Sequence, residues 1–480
     1  MQRRGLRGHR IGVRGGRGDD RHVSGPDIVA DASLRRVSDN LFVGGSPRRL
    51  FHMAGSGTAI LTRLIEGRAW TPQGAAEEAL AGRLVDADAA HPVVVDGAAA
   101  LAAMTVVVPV RDDEDGLGSL LEALSGVQVG GVVVVDDGSV DDRVVAALAQ
   151  RHGAVLVRNG HPLGPAAARN EGLGRVGTRL AVFIDADVAL PAGGGPARIL
   201  AMLAGHFECA GVVAVAPRVR GAAGDGLLAD YDEINGPLDM GDTAATVGPG
   251  RRVSYVPSAV LVVDVDAVRA VGAFDDSLRH GEDVDLVWRL VRQGGRVMYE
   301  PAVEVLHRPR GDLVAWLSQR FGYGTSAAPL AVRHRGDLAP VRVNPSSAAL
   351  WMSMAAGHPG VAVLIGAAAV RRLVRGGESR SGLPVGVATR LVWEGNLAVG
   401  RSIAVAMLRP WFPVTALACV VSRRARKVAL AAVALRIATT PGRPRVRVLR
   451  LADDLAYSAG VWAGALRARD LGAVLPRLTK

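Results

Sequence analysis

The stretch Leu180–Gly193, LAVFIDADVALPAG, decides how the chain is read. An apolar run ends in Asp185 and Asp187, one alanine apart. A β-strand alternates its faces, so residues i and i+2 point the same way. At the carboxyl edge of a parallel sheet both carboxylates then stand beside the crevice where α/β folds bind ligands. Like charges that close repel unless a cation or hydrogen-bond donors hold them. The alternative is a strand-ending turn with two solvated acids, and the stretch alone leaves both readings open.

Its surroundings extend the pattern. MTVVVPV (104–110), GGVVVVDDGS (130–139) and AVLVRN (154–159) are near-continuous β-branched runs. Such runs indicate strands covered on both faces, hence a parallel sheet with crossover helices. DGLGSLLEALSGV (115–127), VDDRVVAALAQRHG (140–153) and GPAAARNEGLGRVG (164–177) supply helical segments between them. The expected architecture is α/β, a doubly wound domain over residues 98–338.

The chain has 480 residues, a net charge of +11, 49% hydrophobic and 21% charged residues, which fits a globular protein of two or three domains. Two cysteines, Cys209 and Cys419, make no disulfide framework and fit a reducing compartment. Residues 1–25 are Gly/Arg-rich without an apolar core, so they read as a basic disordered tail and not as a secretory signal. No aromatics interleave these arginines, so nucleic acid is not an expected partner. Residues 26–97 read as short strands, a helix capped by Ser56 and ended by Gly67, then a second helix beginning with Thr71 before Pro72. That outline is winged-helix-like. It resembles the small peptide-binding domains similar to the PQQ-biosynthesis chaperone, with a DNA-binding winged helix as the competing reading.

Residues 339–480 read as a helical apolar region. No Asp, Glu, Lys or Arg lies between Arg342 and Arg371, a run long enough to cross a bilayer but interrupted by Pro345, His358, Pro359 and Gly360. A second run, Pro410–Leu435, carries aromatics at one end and the basic cluster Arg423–Lys427 within it. Membrane association at the cytoplasmic face, peripheral or few-pass, is expected. The alternative is a set of soluble Ala-rich helices.

Chemistry-bearing residues stand at the strand ends in order. The first strand ends with Pro109, Arg111 and Asp112, and the second with Asp136 and Asp137 before a Gly-Ser turn able to face a nucleobase or ribose. Arg169 and Asn170 open a helix, where a cation and an amide can meet a diphosphate. After Asp185 and Asp187 comes HGEDVDLVWRLVRQ (280–293), with Glu282, Asp283, Asp285 and Trp288, and then His307. No Gly-rich loop follows the first strand, which argues against a nucleotidyltransferase.

This ordered set, from about Thr105 to His334, resembles the family 2 glycosyltransferases with the GT-A fold. The resemblance implies a UDP-sugar donor whose uracil or ribose is bound by Asp137 beside Asp136. It implies a DxD motif, Asp185 and Asp187, that holds Mg²⁺ or Mn²⁺, with His307 completing the metal site. It makes Asp283 the catalytic base, supported by Glu282. The residues themselves leave Asp283 open as a helix cap, His307 as a strand-end histidine held by backbone, and Trp288 as either core or acceptor platform. Gln319-Arg320-Phe321 departs from the Gln-x-x-Arg-Trp of processive synthases. From about Asp27 the order of parts is similar to the glycosyltransferases of actinobacterial mycofactocin systems. That implies glucose transfer from UDP-glucose onto the peptide-derived redox-cofactor precursor premycofactocin, building a β-1,4 oligoglucoside. The alternative is a membrane glycosyltransferase for lipid-linked or cell-wall glycans.

Overall fold

The computed structural model describes residues 26–94, 97–190, 195–308, 311–376 and 383–479. The basic tail expected over residues 1–25 lies outside them. Among the described residues the largest element is a nine-stranded sheet. Its central order is Arg296–His307, Val212–Gly221, Val260–Asp264, Leu180–Ile184, Met104–Val110, Gly131–Asp136, Val155–Arg158. The last four strands run parallel, as expected. The sheet as a whole is mixed, because Val260–Asp264 runs antiparallel to both its neighbours. Val260–Asp264 lies outside the runs read as parallel, and its sequence does not encode its direction.

The β-branched runs are buried on both faces for the reason their composition suggested. Val106, Val108 and Val110 face one core, together with Val182 and Ile184 of the neighbouring strand. Val107, Val133, Val135, Ala181 and Phe183 face the other. Helices Glu114–Leu124, Asp142–Arg151 and Gly195–Gly205 cover the first face, and Pro165–Leu173, Val265–Ala270 and Glu282–Arg292 cover the second. Fully burying each such side chain contributes on the order of 1.5–3 kcal/mol, so this double burial dominates the domain's stability. A Cβ on Gly172 would lie 2.2 Å from Val107 Cγ1, which lets the Pro165–Leu173 helix sit tight on the strands and fixes Arg169 at their ends.

The N-terminal unit pairs Ile28–Ala30 with Ala90–Pro92 and adds a three-stranded meander, Arg35–Ser38, Leu41–Gly44 and Arg49–His52. Its helices are Ser56–Ile65 and Gly74–Asp86. Ser56 is the first helical residue, with Gly55 before it and no side-chain cap, so the expected Ser56 cap is not formed. The second helix starts after Gln73, past Thr71 and Pro72. Gly67 does follow the first helix, at φ +77.

The C-terminal region is helical, and its breaks correct the expected spans. The charge-free run splits into Pro345–Ala355 and Pro359–Val374, of 11 and 16 residues. At 1.5 Å per residue neither reaches the roughly 30 Å of a bilayer core. The second run breaks at Ser422, which caps Arg423–Thr439. Among the described residues one helix, Val385–Leu408, is long and apolar enough to cross a membrane. Glu394, near its middle, pairs with Arg35 and Arg48 of the N-terminal unit. The last helix, Pro444–Ala468, crosses Leu313–Thr325 at two glycines: a Cβ on Gly460 would lie 2.0 Å from the Phe321 carbonyl oxygen, and one on Gly324 2.2 Å from that of Tyr457. We therefore expect Gly460→Ala to cost about 1–3 kcal/mol by overpacking. Thermal unfolding checks this, and an unchanged melting temperature would show that the crossing is loose.

Candidate active site

The carboxyl ends of the strands open into a cleft of about 620 Å³. Seven of the sequence-designated residues line it: Arg169, Asp185, Asp187, Glu282, Asp283, Trp288 and His307. Asp185 follows the Leu180–Ile184 strand, and its backbone N–H donates to the Ala259 carbonyl at 2.9 Å. Asp187 precedes the short strand Val188–Ala189, whose antiparallel pairing sets Val188 opposite His307. His307 Nε2 lies 3.1 Å from Asp187 Oδ2, so the paired aspartates and the histidine do meet.

Glu282 and Asp283 open the helix Glu282–Arg292, where unpaired N–H groups favour acids. The preceding Gly281 has φ +79, and a Cβ there would press on Leu330 and Ser326 at 2.9 and 3.0 Å. Glycine meets both demands. Gly281 occupies the cap position and no side chain caps the helix. Asp283 is thus no cap; it accepts from the N–H groups of Val284, at 2.7 Å, and Ser258.

Arg169 joins the two acid groups. Its Nη2 donates to Asp185 Oδ1 at 2.6 Å and its Nη1 to Glu282 Oε1 at 2.9 Å. Arg169 is 3% exposed, so it is a buried bridge between carboxylates and differs from the solvent-facing cation expected for a diphosphate. Burial pushes the Asp185 carboxyl up against the pull of Arg169, and the neighbouring Asp187 charge adds to the rise. Burial, and then the adjacent Glu282 charge, raise Asp283 to about 7. A carboxylate so placed is matched to general-base work at neutral pH.

Pro109, Arg111, Asp136, Asp137 and Asn170 lie outside the cleft's walls. Asp136 accepts from Ser139 N–H and from Arg158 Nη1, at 2.9 and 2.7 Å. Asp137 accepts from Asn159 Nδ2, Leu163 N–H and Gly164 N–H, at 3.0, 2.8 and 2.8 Å. This pair shapes the loop that leads into the Arg169 helix. Pro109 sits within its strand opposite Val135, and Arg111 is exposed beside Asp112 at 3.4 Å. Asn170 is turned away: its amide donates to the Phe274 carbonyl and accepts from the Phe274 N–H. Trp288 is buried, donates to the Ser254 carbonyl at 2.6 Å and packs edge-on against His334, so it belongs to the core and only borders the cleft. Asp285 is spent on His334 and Arg289. Arg320 of the altered motif is buried against Asp232 and stacked on Trp316 at 4.1 Å.

Sequence reasoning missed the far wall. Tyr255 and Ser258 come from an irregular segment without a motif, and Arg409, Arg450, Asp453 and Tyr457 come from the apolar tail. Arg450 binds Tyr231 Oη and Asp453, and Arg409 lies over the Tyr457 ring at 3.9 Å. The three arginines followed by two adjacent aspartates in RVRVLRLADDLAY (445–457) were the available signal.

A strand-end carboxylate pair and a separate carboxylate with a raised pKa thus line one cleft at the carboxyl ends of the strands. The Glycosyl transferase family 2 profile matches residues 105–221. The chain is 36% identical over 478 residues to the pre-mycofactocin glycosyltransferase of Mycobacterium tuberculosis, covering 94% of this chain and 97% of that one. It is 34% identical over 86 residues to the succinoglycan biosynthesis protein ExoA of Rhizobium meliloti, 17% of this chain and 26% of that one. A Pyrobaculum calidifontis mannosyltransferase structure with GDP-mannose and Mn²⁺ covers 76% of this chain and 85% of its own, at TM-score 0.37 and 18% identity. The chain is a glycosyltransferase, and it belongs to the family 2 enzymes, in the group of the pre-mycofactocin glycosyltransferase.

A general base at Asp283, raised to about 7, predicts that kcat falls as pH drops through about 7 and the carboxylate takes up a proton. Glu282→Gln, which removes the nearest negative charge, should move that limb to lower pH. A limb near the ordinary aspartate value in the unaltered enzyme would show that Asp283 is not the titrating group.

Proposed function

We propose that the chain transfers glucose from UDP-glucose to premycofactocin with inversion, extending it as a β-1,4-linked oligoglucoside. The observation that carries the chemistry is Arg169 holding the donor-side Asp185 and the acceptor-side Glu282 in one cleft, with Asp283 next in the chain. The full-length likeness to a pre-mycofactocin glycosyltransferase supports the acceptor. Asp136 and Asp137 organise the loop on which the uridine would rest.

The donor end fits a hard divalent ion. Asp187 and His307 stand 3.1 Å apart with Asp185 adjacent, and these oxygen and nitrogen donors suit Mg²⁺ or Mn²⁺. Among the described residues no group of three or more His, Cys, Asp or Glu side chains is placed to hold a metal ion by itself. Bound there, the ion would neutralise charge on the departing UDP. Asp283 accepts the acceptor hydroxyl proton as that oxygen bonds the anomeric carbon and the bond from this carbon to the diphosphate breaks. One displacement turns an α-linked donor into a β-linked product. Asp283→Asn should keep UDP–Mn²⁺ binding and lower transfer by at least about 100-fold. Mass spectrometry of reactions with UDP-glucose and premycofactocin, beside a lipid-linked acceptor, tests both points. An active Asp283→Asn enzyme removes the base, and product on the lipid-linked acceptor alone replaces the acceptor.

We also propose peripheral attachment at the cytoplasmic face of the membrane. Val363, Leu364, Leu417, Val420, Val421 and Leu430 are all more than two-thirds exposed, and Arg423, Arg424, Arg426 and Lys427 adjoin them. Apolar side chains beside a basic cluster suit an anionic headgroup layer. The ion pairs from Glu394 to the N-terminal unit favour a helix lying along the surface over one crossing it. The protein should co-sediment with phosphatidylserine-containing vesicles, and Leu417→Glu/Val421→Glu should abolish this. Protein that stays in the supernatant regardless would refute attachment.

A further inference from the structure

The segment Val247–Ala259 contains no helix or strand, yet it carries Tyr255 and Ser258 into the cleft. Local turns, the Val247 N–H on the Val297 carbonyl at 2.8 Å and the buried Val253 and Val256 hold part of it, and side-chain bonds fix the rest. Downstream it is held by the site itself. The Ser254 carbonyl accepts from Trp288 Nε1 at 2.6 Å, the Ser258 N–H donates to the Asp283 carboxylate, and the Ala259 carbonyl accepts from the Asp185 N–H at 2.9 Å.

Upstream it is held by the N-terminal unit. Arg252 Nη2 donates to Asp31 Oδ2 at 2.8 Å and to Asp88 Oδ2 at 2.9 Å, two carboxylates on residues 3% and 0% exposed. The Arg252 N–H donates to Ser46 Oγ at 2.6 Å. Asp88 Oδ1 also accepts from the Thr246 N–H at 2.9 Å, and Thr246 Oγ1 donates to the Val85 carbonyl at 2.8 Å. Asp88 holds φ +58, a left-handed conformation costly for a non-glycine residue and one that persists only where its surroundings enforce it. Asp31 is fixed in turn by His91 Nε2 at 3.1 Å. Two buried aspartates from different turns of the N-terminal unit thus converge on one guanidinium a short way upstream of Ser258.

We propose that Arg252 is a positioning residue for transfer, the point at which the N-terminal unit sets the segment that presents Ser258 to the base. This rests on Asp283 being that base. It gives the unit a role in catalysis separate from any binding of the acceptor. The donor half meets this segment at the Ala259 carbonyl but has holds of its own, Asp187 to His307 at 3.1 Å and Asp185 to Arg169 at 2.6 Å, so loss of the clasp should lower kcat more than donor binding.

The test compares full-length unaltered enzyme with Arg252→Met, Arg252→Lys and Ser46→Ala, each assayed well below its melting temperature. Arg252→Met should lose about 10-fold or more in kcat, since small misplacements of catalytic groups are costly, while UDP–Mn²⁺ affinity stays within about twofold. Arg252→Lys, keeping the charge, should recover part of the loss, and Ser46→Ala should show a smaller loss in the same direction. Should Arg252→Met not fold, the lysine and alanine variants decide. Full kcat in folded variants overturns the proposal, as does a fall in UDP–Mn²⁺ affinity equal to the fall in kcat, which would mark a general structural role. An active Asp283→Asn enzyme would instead refute the base, independently of Arg252.

Discussion

A single buried guanidinium makes this site possible. Asp185, Asp187, Glu282 and Asp283 gather within one cleft, and that much negative charge away from water repels itself strongly. Arg169 bonds one carboxylate from each pair, so the strand-end acids and the helix-start acids are built on the same cation. Its helix reaches both because it lies close on the sheet at Gly172, and because Gly281 turns the next acidic helix toward it. Arg169 spends its hydrogen bonds on Asp185 and Glu282 and acts on Asp283 only through its charge, too weakly to cancel the rise that burial and Glu282 impose.

The rest of the chain supplies walls around this charge arrangement. The N-terminal unit buries its apolar residues in the same core as the strands and reaches the cleft through Arg252. The final helix closes the opposite side, held by Arg436 on Asp454 at 2.7 and 2.8 Å and by Tyr231 on Asp453 at 2.6 Å. A region whose composition suggested either a lipid neighbour or soluble helices therefore forms one wall of the cleft.

The α/β core was legible because double burial writes itself as unbroken Val and Ile, and strand ends write themselves as acids. The direction of Val260–Asp264 was not, since a buried strand reads alike in both orientations. The Asp185, Asp187, Asp283 and His307 grouping was legible from ordered motifs. Arg169 was legible as a cation at a helix start, and only the fold shows the two carboxylates it bridges. Asn170 and Trp288 were polar or aromatic residues near motifs, and packing claimed both. The wall of Tyr255, Arg409 and Tyr457 converges from segments far apart in sequence, and no local spacing announces such a meeting.

The most direct measurement is the unfolding free energy of Arg169→Met, alone and combined with Asp185→Asn/Glu282→Gln. Removing one member of a buried ion group strands the others, so the single variant should lose roughly 3–5 kcal/mol, and neutralising both carboxylates should restore most of it. A single variant as stable as the unaltered chain, or a combined variant no better than the single one, would contradict the bridge on which the site is built.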